Sequence, residues 1–188
     1  MAFENDPELC IRPNGAAEAL AKAKKDGKAR FVGFTGHQNP MVHLGMLNTG
    51  FPFDSVQMPL NAFDYSFTRS FERQVLPELN RRGIAVLGMK PLSGHGEPIK
   101  AGALTAEEAL RYAMSLPVAT TITGIDGMDV LHPADRPEFQ TMTTAEMDEL
   151  RNRCKQYAVD GRYELYKLSL KFDNPEARLA HGFPLDTK

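Results

Sequence analysis

Gly27-Lys28-Ala29-Arg30-Phe31-Val32-Gly33-Phe34-Thr35-Gly36-His37 is the stretch on which the fold turns. Ahead of it, Ala16 to Lys25 is built from helix formers, with Ala17, Leu20 and Ala21 on one face. Its last turn is basic, and Gly27 follows where a helix end favours a left-handed residue. Phe31-Val32-Gly33-Phe34 then predicts a short buried strand, and Thr35 to Asn39 the loop after it.

Outward from this stretch the same order recurs. Met41 to Leu47 predicts a helix, Gly50 a turn, and Ser55 to Met58 a second strand. Phe71, Val75, Leu76 and Leu79 share a helical face that Pro77 should kink or restart, and Arg81-Arg82-Gly83 closes that helix. Ile84 to Leu87 is the third strand. Thr105 with Glu108 forms a capping box, opening a helix expected to face inward through Ala106, Ala109, Leu110 and Ala113. Val118 to Ile122 is the fourth strand. Each strand is a short, continuously apolar run, as in parallel sheets covered on both faces. Their spacing suits βα units of roughly 30 residues. The fold class is therefore α/β.

After the fourth strand, residues 131–137 carry two prolines and read as loop. A second capping box, Thr143 with Glu146, opens a helix facing inward through Met147, Leu150, Cys154 and Tyr157 and ending near Gly161. These signals divide the chain into residues 1–161 and an extension, 162–188, with little periodicity, which packs over the domain or frays.

Composition narrows the function classes. In 188 residues, 42% hydrophobic and 24% charged, there is material for one domain with a real core. A net charge of -2 gives no basis for general binding to nucleic acid or anionic membrane. Cys10 and Cys154 make no ligand or redox spacing, which predicts a reducing, cytoplasmic setting. No apolar run reaches membrane-spanning length.

Chemistry in parallel sheets gathers on the loops after the strands. Here these are Thr35 to Asn39, Pro59 to Asn61, Lys90 to Gly96 and Gly124 to Gly127, all small, polar or glycine-rich. No GxGxxG opens a helix, and no Walker motif, GxSxG elbow or HExxH is present. Lys90 has three readings at its strand end: Schiff-base nucleophile, phosphate partner or solvated terminus. His37 reads as solvent-facing, and His43, His95 and His132 as surface residues without metal-ligand spacing. Cys154 reads as apolar filling.

The segments, in order, carry a resemblance. Gly27 to His37 resembles the fifth-strand passage of the aldo-keto reductase family. Ser55-Val56-Gln57-Met58-Pro59-Leu60-Asn61 resembles its sixth strand, Val75-Leu76-Pro77 through Gly83 to Leu92 its seventh with the preceding helix, and Thr121 to Asp126 its eighth. Glu4 to Glu8 is similar to the segment after strand four in one oxidoreductase branch. The resemblance implies a partial (β/α)8 TIM barrel and NAD(P)H-dependent reduction of aldehydes or ketones. It also implies that the catalytic aspartate, tyrosine, lysine and histidine come from strands two to four, so no catalytic residue is assigned within this chain.

What the resemblance places here is the cofactor side, NADP or NAD. Gln57 would bond the nicotinamide carboxamide, with Thr35 and Gly36 in place of the usual Ser-Asn pair. Met89 stands where many members stack a tyrosine, followed by Lys90 and Pro91. Leu92, Ser93 and Gly94 would follow the pyrophosphate, and Gly124, Ile125, Asp126 and Met128 would meet the adenosine end. No lysine or arginine follows the eighth strand before residue 136, where many members bind a 2′-phosphate.

A full barrel takes about 250 residues and has no sheet edge. Four strands alone predict open edges near Phe31 and Val118, with Val32, Val56, Val86 and Ile122 on an inner face without partners. At ~25 cal/mol per Å2 that exposure would cost several kcal/mol. It predicts self-association, pairing with a second half-barrel that completes a site for a small carbonyl substrate, or poor solubility. The alternative is a non-catalytic α/β module acting in assembly or partner binding.

Overall fold

The structure, a computed structural model, describes residues 3–125, 128, 140–169, 175–180 and 182. Asp126, the loop 131–137 and His132 lie outside the described residues. The chain begins with helices α1 (Asp6–Ile11) and α2 (Ala16–Lys25), then alternates: β1 (Gly33–Thr35), α3 (Pro40–Asn48), β2 (Ser55–Pro59), α4 (Phe71–Gln74), α5 (Leu76–Arg82), β3 (Ala85–Met89), α6 (Glu97–Lys100), α7 (Ala106–Ser115) and β4 (Thr120–Thr121). Helix α8 (Thr144–Ala158), a 3-10 turn at Leu165–Lys167 and α9 (Pro175–Ala180) follow. The four strands form one parallel sheet in the order β1-β2-β3-β4. Its register pairs Gly33 with Ser55, Val56 with Val86 and Leu87 with Thr120. This is the α/β alternation of a partial TIM barrel.

Local chemistry accounts for most boundaries. Both capping boxes close, Thr105 with Glu108 and Thr143 with Glu146, each side chain bonding the other's backbone amide. Pro77 does more than kink its segment: the helix stops at Gln74 and restarts at Leu76, with Pro77 in the new first turn, where its missing N–H costs nothing. Gly83, at φ 68°, ends that helix in the left-handed conformation.

The first strand starts later than its apolar run implies. Val32 gives its N–H to the Asp54 carboxylate and its carbonyl to the Asp54 amide. Lys24 pairs with the same carboxylate at 2.7 Å. A side chain thus holds the chain where the ladder was expected, and Phe31 is 69% exposed. Gly33 then approaches β2 so closely that a Cβ would stand 2.3 Å from the Ser55 carbonyl oxygen.

Three of the four residues expected on the inner face lie on the other one. Val32, Val56 and Val86 are buried, against helices in the case of Val56 and Val86, within a core that includes Met58, Phe71, Leu79 and Tyr112. The opposite face instead presents Ser55, Gln57, Ala85 and Leu87, all half-buried, together with Ile122. A one-residue difference in phase exchanges the two faces of every strand. Small and polar groups on that side remove most of the apolar exposure expected there; Ile122 alone of the four named residues is exposed.

Two further corrections concern side chains. Ala106 is exposed at the start of α7, and the buried face is Ala109, Tyr112 and Ala113. Tyr112 is tolerated there because its hydroxyl donates to Glu72 at 2.7 Å and accepts from Arg151 at 2.8 Å. His43, expected at the surface, is fully buried between Phe34 and Phe71, with ring centroids 5.2 and 4.8 Å away. Burial lowers its pKa to about 3, so it is a neutral core residue.

Candidate functional site

The C-terminal ends of β2, β3 and β4 open into a groove of about 830 Å3. Its lining is Gln57 from β2, Met89 from β3, the loop Lys90 to Gly96, Ala106, and Ile122, Thr123 and Gly124 after β4. The volume falls in the range of small-molecule and cofactor sites. Of the residues expected at a site, Gln57, Met89, Lys90, Pro91, Leu92, Ser93, Gly94 and Gly124 are brought together here. Thr35 and Gly36 do not line it; Gly36 gives its N–H to the Gln57 carbonyl at 3.4 Å, on the sheet side. Ile125 and Met128 are exposed beyond the groove's end, at 51% and 67%.

The floor is already organised. The Gln57 amide donates to the Met89 sulfur at 3.3 Å, fixing two neighbouring strand ends against each other. The next loop is held in conformations that side chains seldom adopt: Lys90 lies at φ 57° and Ser93 at φ 65°. The Lys90 carbonyl accepts from the Ser93 amide at 3.0 Å and from the Asn61 side chain at 3.3 Å, which pins the turn. Ser93 is 2% exposed, yet its hydroxyl has no hydrogen-bond partner among the described residues. A buried unpaired hydroxyl on one of two strained residues of a single turn is a departure from ordinary packing, and such departures gather at functional sites. Gly94 and Gly124 have room for a Cβ, so neither is required by crowding in the free chain.

Segment 161–169, whose sequence lacks periodicity, forms the wall beside the groove. Gly161, at φ 67°, turns the chain back from α8. Glu164, Tyr166 and Lys167 are then buried to 1%, 2% and 0% exposure. Lys167 bonds Asp64 and Glu164, the latter at 2.8 Å, while Asp64 accepts from Ser70 and from the amides of Phe71 and Glu72. Tyr166 donates to Glu164 at 2.8 Å and accepts from Asn61 at 3.1 Å. Burial, followed by the Glu164 charge, raises the Tyr166 pKa well above the ordinary phenol value. Glu164, Tyr166 and Lys167 carried no periodic signal; a mixed aromatic and charged run, Tyr163 to Lys167, was the only sign of them.

Lys90 joins the two regions. Its ammonium lies 5.0 Å from the centroid of the Tyr166 ring, and it lines both the groove and a second cavity of about 60 Å3. That cavity is walled by Arg162, Tyr163, Leu165 and Tyr166 on the tail side and by Gly94, His95 and Glu97 on the other. Burial lowers the Lys90 pKa. His37, read from sequence as solvent-facing, is half-buried with its ring edge-on to Tyr166 at 5.8 Å. Burial and the neighbouring Lys90 lower its pKa to about 4. Among the described residues no group of three His, Cys, Asp or Glu stands close enough to hold a metal ion. No described helix is long and apolar enough to cross a membrane.

A parallel sheet whose strand-end loops form one continuous groove has counterparts among solved structures. An aldo-keto reductase from a Medee basin deep-sea metagenome library superposes with a TM-score of 0.54 at 14% identity, over 76% of this chain and 54% of that one. The fold matches about half of an aldo-keto reductase barrel. A second such reductase, from Brucella melitensis, gives a TM-score of 0.53 at 15% identity, over 73% of this chain and 53% of that one. The chain therefore spans about half the length of these solved structures. No family model and no curated protein matches the sequence. At such identities the likeness establishes the aldo-keto reductase fold, and function rests on the site itself.

Proposed function

We propose that this chain supplies the cofactor side of an NAD(P)H-dependent oxidoreductase that reduces a small aldehyde or ketone. The observation that carries this reading is the convergence of Gln57, Met89, Ser93 and Gly94 on one groove at the strand ends of an aldo-keto reductase fold. The residues suit a dinucleotide. Gln57 offers an amide to the nicotinamide carboxamide, and the Met89 sulfur offers a soft surface beside the ring. The unpaired Ser93 hydroxyl and the Lys90 ammonium suit the pyrophosphate. The nicotinamide supplies hydride when bound; the chain's own residues orient it and exclude water from its face.

The proton must come from elsewhere. Tyr166, the tyrosine beneath Lys90, is buried and holds its proton against Glu164, which makes it a poor acid. As the resemblance to aldo-keto reductases implies, the acid would come from strands that pair with β1 or β4, each of which has one neighbour among the described strands. A reducing, cytoplasmic setting belongs to the same proposal, since Cys10 and Cys154 make no ligand or redox spacing in the sequence. The buried Tyr166 also favours a second reading, a half-barrel that acts in assembly without reducing carbonyls.

Titration with NADPH and with NADH, followed by cofactor fluorescence, tests the first reading. Saturable binding is expected, strengthened by a polypeptide supplying the complementary strands. Failure to bind either cofactor even then removes the assignment. Aldehyde reduction by the chain alone would exclude the assembly reading.

A further inference from the structure

We propose that Lys90 is a carbonyl-capturing amine, condensing reversibly with short aldehydes at the junction of the groove and the tail-side cavity. The inference goes beyond the cofactor reading and does not depend on it.

The placement of the described lysines sets Lys90 apart. Lys22, Lys24 and Lys28 are exposed and paired with Asp26 or Asp54. Lys25, Lys100 and Lys155 are exposed to solvent. Lys167 is fully buried and locked by carboxylates. Lys90 alone among them is half-buried with no carboxylate within 4.0 Å. Its amine therefore sits where solvation is reduced and no counter-charge fixes the protonated form. The lowering of its pKa by burial agrees with this position.

The surroundings suit addition to a carbonyl. The strained turn at φ 57° and the bonds to the Lys90 carbonyl hold the backbone of the nucleophile in place. The Tyr166 ring lies under the amine and walls one side. His37, neutral at physiological pH, stands edge-on to the same ring and adds no second positive charge beside the amine. The cavity beside the amine, about 60 Å3, favours short carbonyls over bulky ones.

The step is a condensation. The unprotonated Lys90 nitrogen forms a bond to the carbonyl carbon as the C=O π bond opens, giving a carbinolamine after proton transfer from nitrogen to oxygen. Loss of the hydroxyl with a further proton releases one water and leaves a C=N bond. Addition of water reverses it.

The test uses the whole chain, glycolaldehyde in limiting amount and sodium cyanoborohydride at pH 7.5, with peptide mass mapping over time. Lys90 is expected to acquire the hydroxyethyl group at least tenfold faster than Lys22, Lys25 and Lys100, with its pH profile displaced to lower pH than theirs. Lys90→Met should remove the fast adduct and leave the slow ones. Labelling of Lys90 no faster than that of the exposed lysines overturns the proposal, and this comparison within the unaltered chain needs no variant to fold. Cofactor fluorescence on a separate, untreated sample reads the dinucleotide groove, so failure of either assignment is visible without the other.

Discussion

Lys167 and Lys90 flank the same tyrosine and live under opposite rules. Around Lys167, each buried charge has a counter-charge and spare hydrogen-bonding capacity is used by Ser70, Asn61, Tyr166 and backbone amides. Around Lys90, an ammonium lacks a carboxylate, a buried hydroxyl lacks a partner, and the backbone at Lys90 and Ser93 is strained. Packing that satisfies itself marks where the fold is held. Packing left incomplete, a few ångströms away, marks where a ligand has something to complete.

The largest way to break this contrast is Lys167→Met. Removing the cation leaves the Asp64 and Glu164 carboxylates buried together, and a loss of about 3–5 kcal/mol is expected in urea unfolding. Lys90→Met, in the same assay, should change stability by less than about 0.5 kcal/mol. Equal effects for the two would show that the tail cluster is no more a clamp than the groove.

Acid tests the buried side differently. His43 has a folded pKa near 3 against an ordinary value of about 6.5, so the unfolded chain binds the proton more readily. Its contribution is complete above pH ~6.5 and is lost as pH falls toward the folded value, at up to about 1.4 kcal/mol per pH unit. Stability measured between pH 7 and 4 should decline along this line, and His43→Leu should reduce the slope by about half, leaving the share of His37, whose pKa is lowered to about 4. An unchanged slope in that variant would place the acid sensitivity elsewhere.

Gly33→Ala probes the edge of the sheet from which the groove is hung. The added Cβ meets the Ser55 carbonyl oxygen, which is backbone and yields little. A cost of about 1–3 kcal/mol is expected, with fraying of β1 visible as faster amide exchange. The smallest effect sharpens the groove side of the comparison. Ser93→Ala removes a hydroxyl that has no partner in the free chain, and should raise stability by about 1 kcal/mol. A loss instead would mean that the hydroxyl is already satisfied.

How much of this was readable in the sequence differs between the same two regions. The strand order, the capping boxes at Thr105 and Thr143 and the loop from Lys90 to Gly96 were legible, because each depends on neighbours a few residues away. The phase of the strands was not: Val56 and Val86 point to helices, and runs apolar on both faces do not say which side is which. Nor was the start of β1, which Asp54 decides from 22 residues downstream. The tail cluster was the least legible, since Lys167 meets Asp64 across 103 positions and no periodicity announces it. Within the groove, Lys90 and Ser93 could be named, but their left-handed backbone is imposed by Asn61 and the turn rather than by their own residue types.

That span of 103 positions bears on the order in which the molecule is made. Asp64 leaves the ribosome long before Lys167, and folding through β2 before the tail arrives would bury a carboxylate with no cation beside it. Until segment 161–169 emerges, Asp64 has Ser70 and the amides of Phe71 and Glu72 to hold it, but not the cation that Lys167 brings. A chain halted before Lys167 would carry that carboxylate without its counter-charge and should be cleaved more readily by proteases.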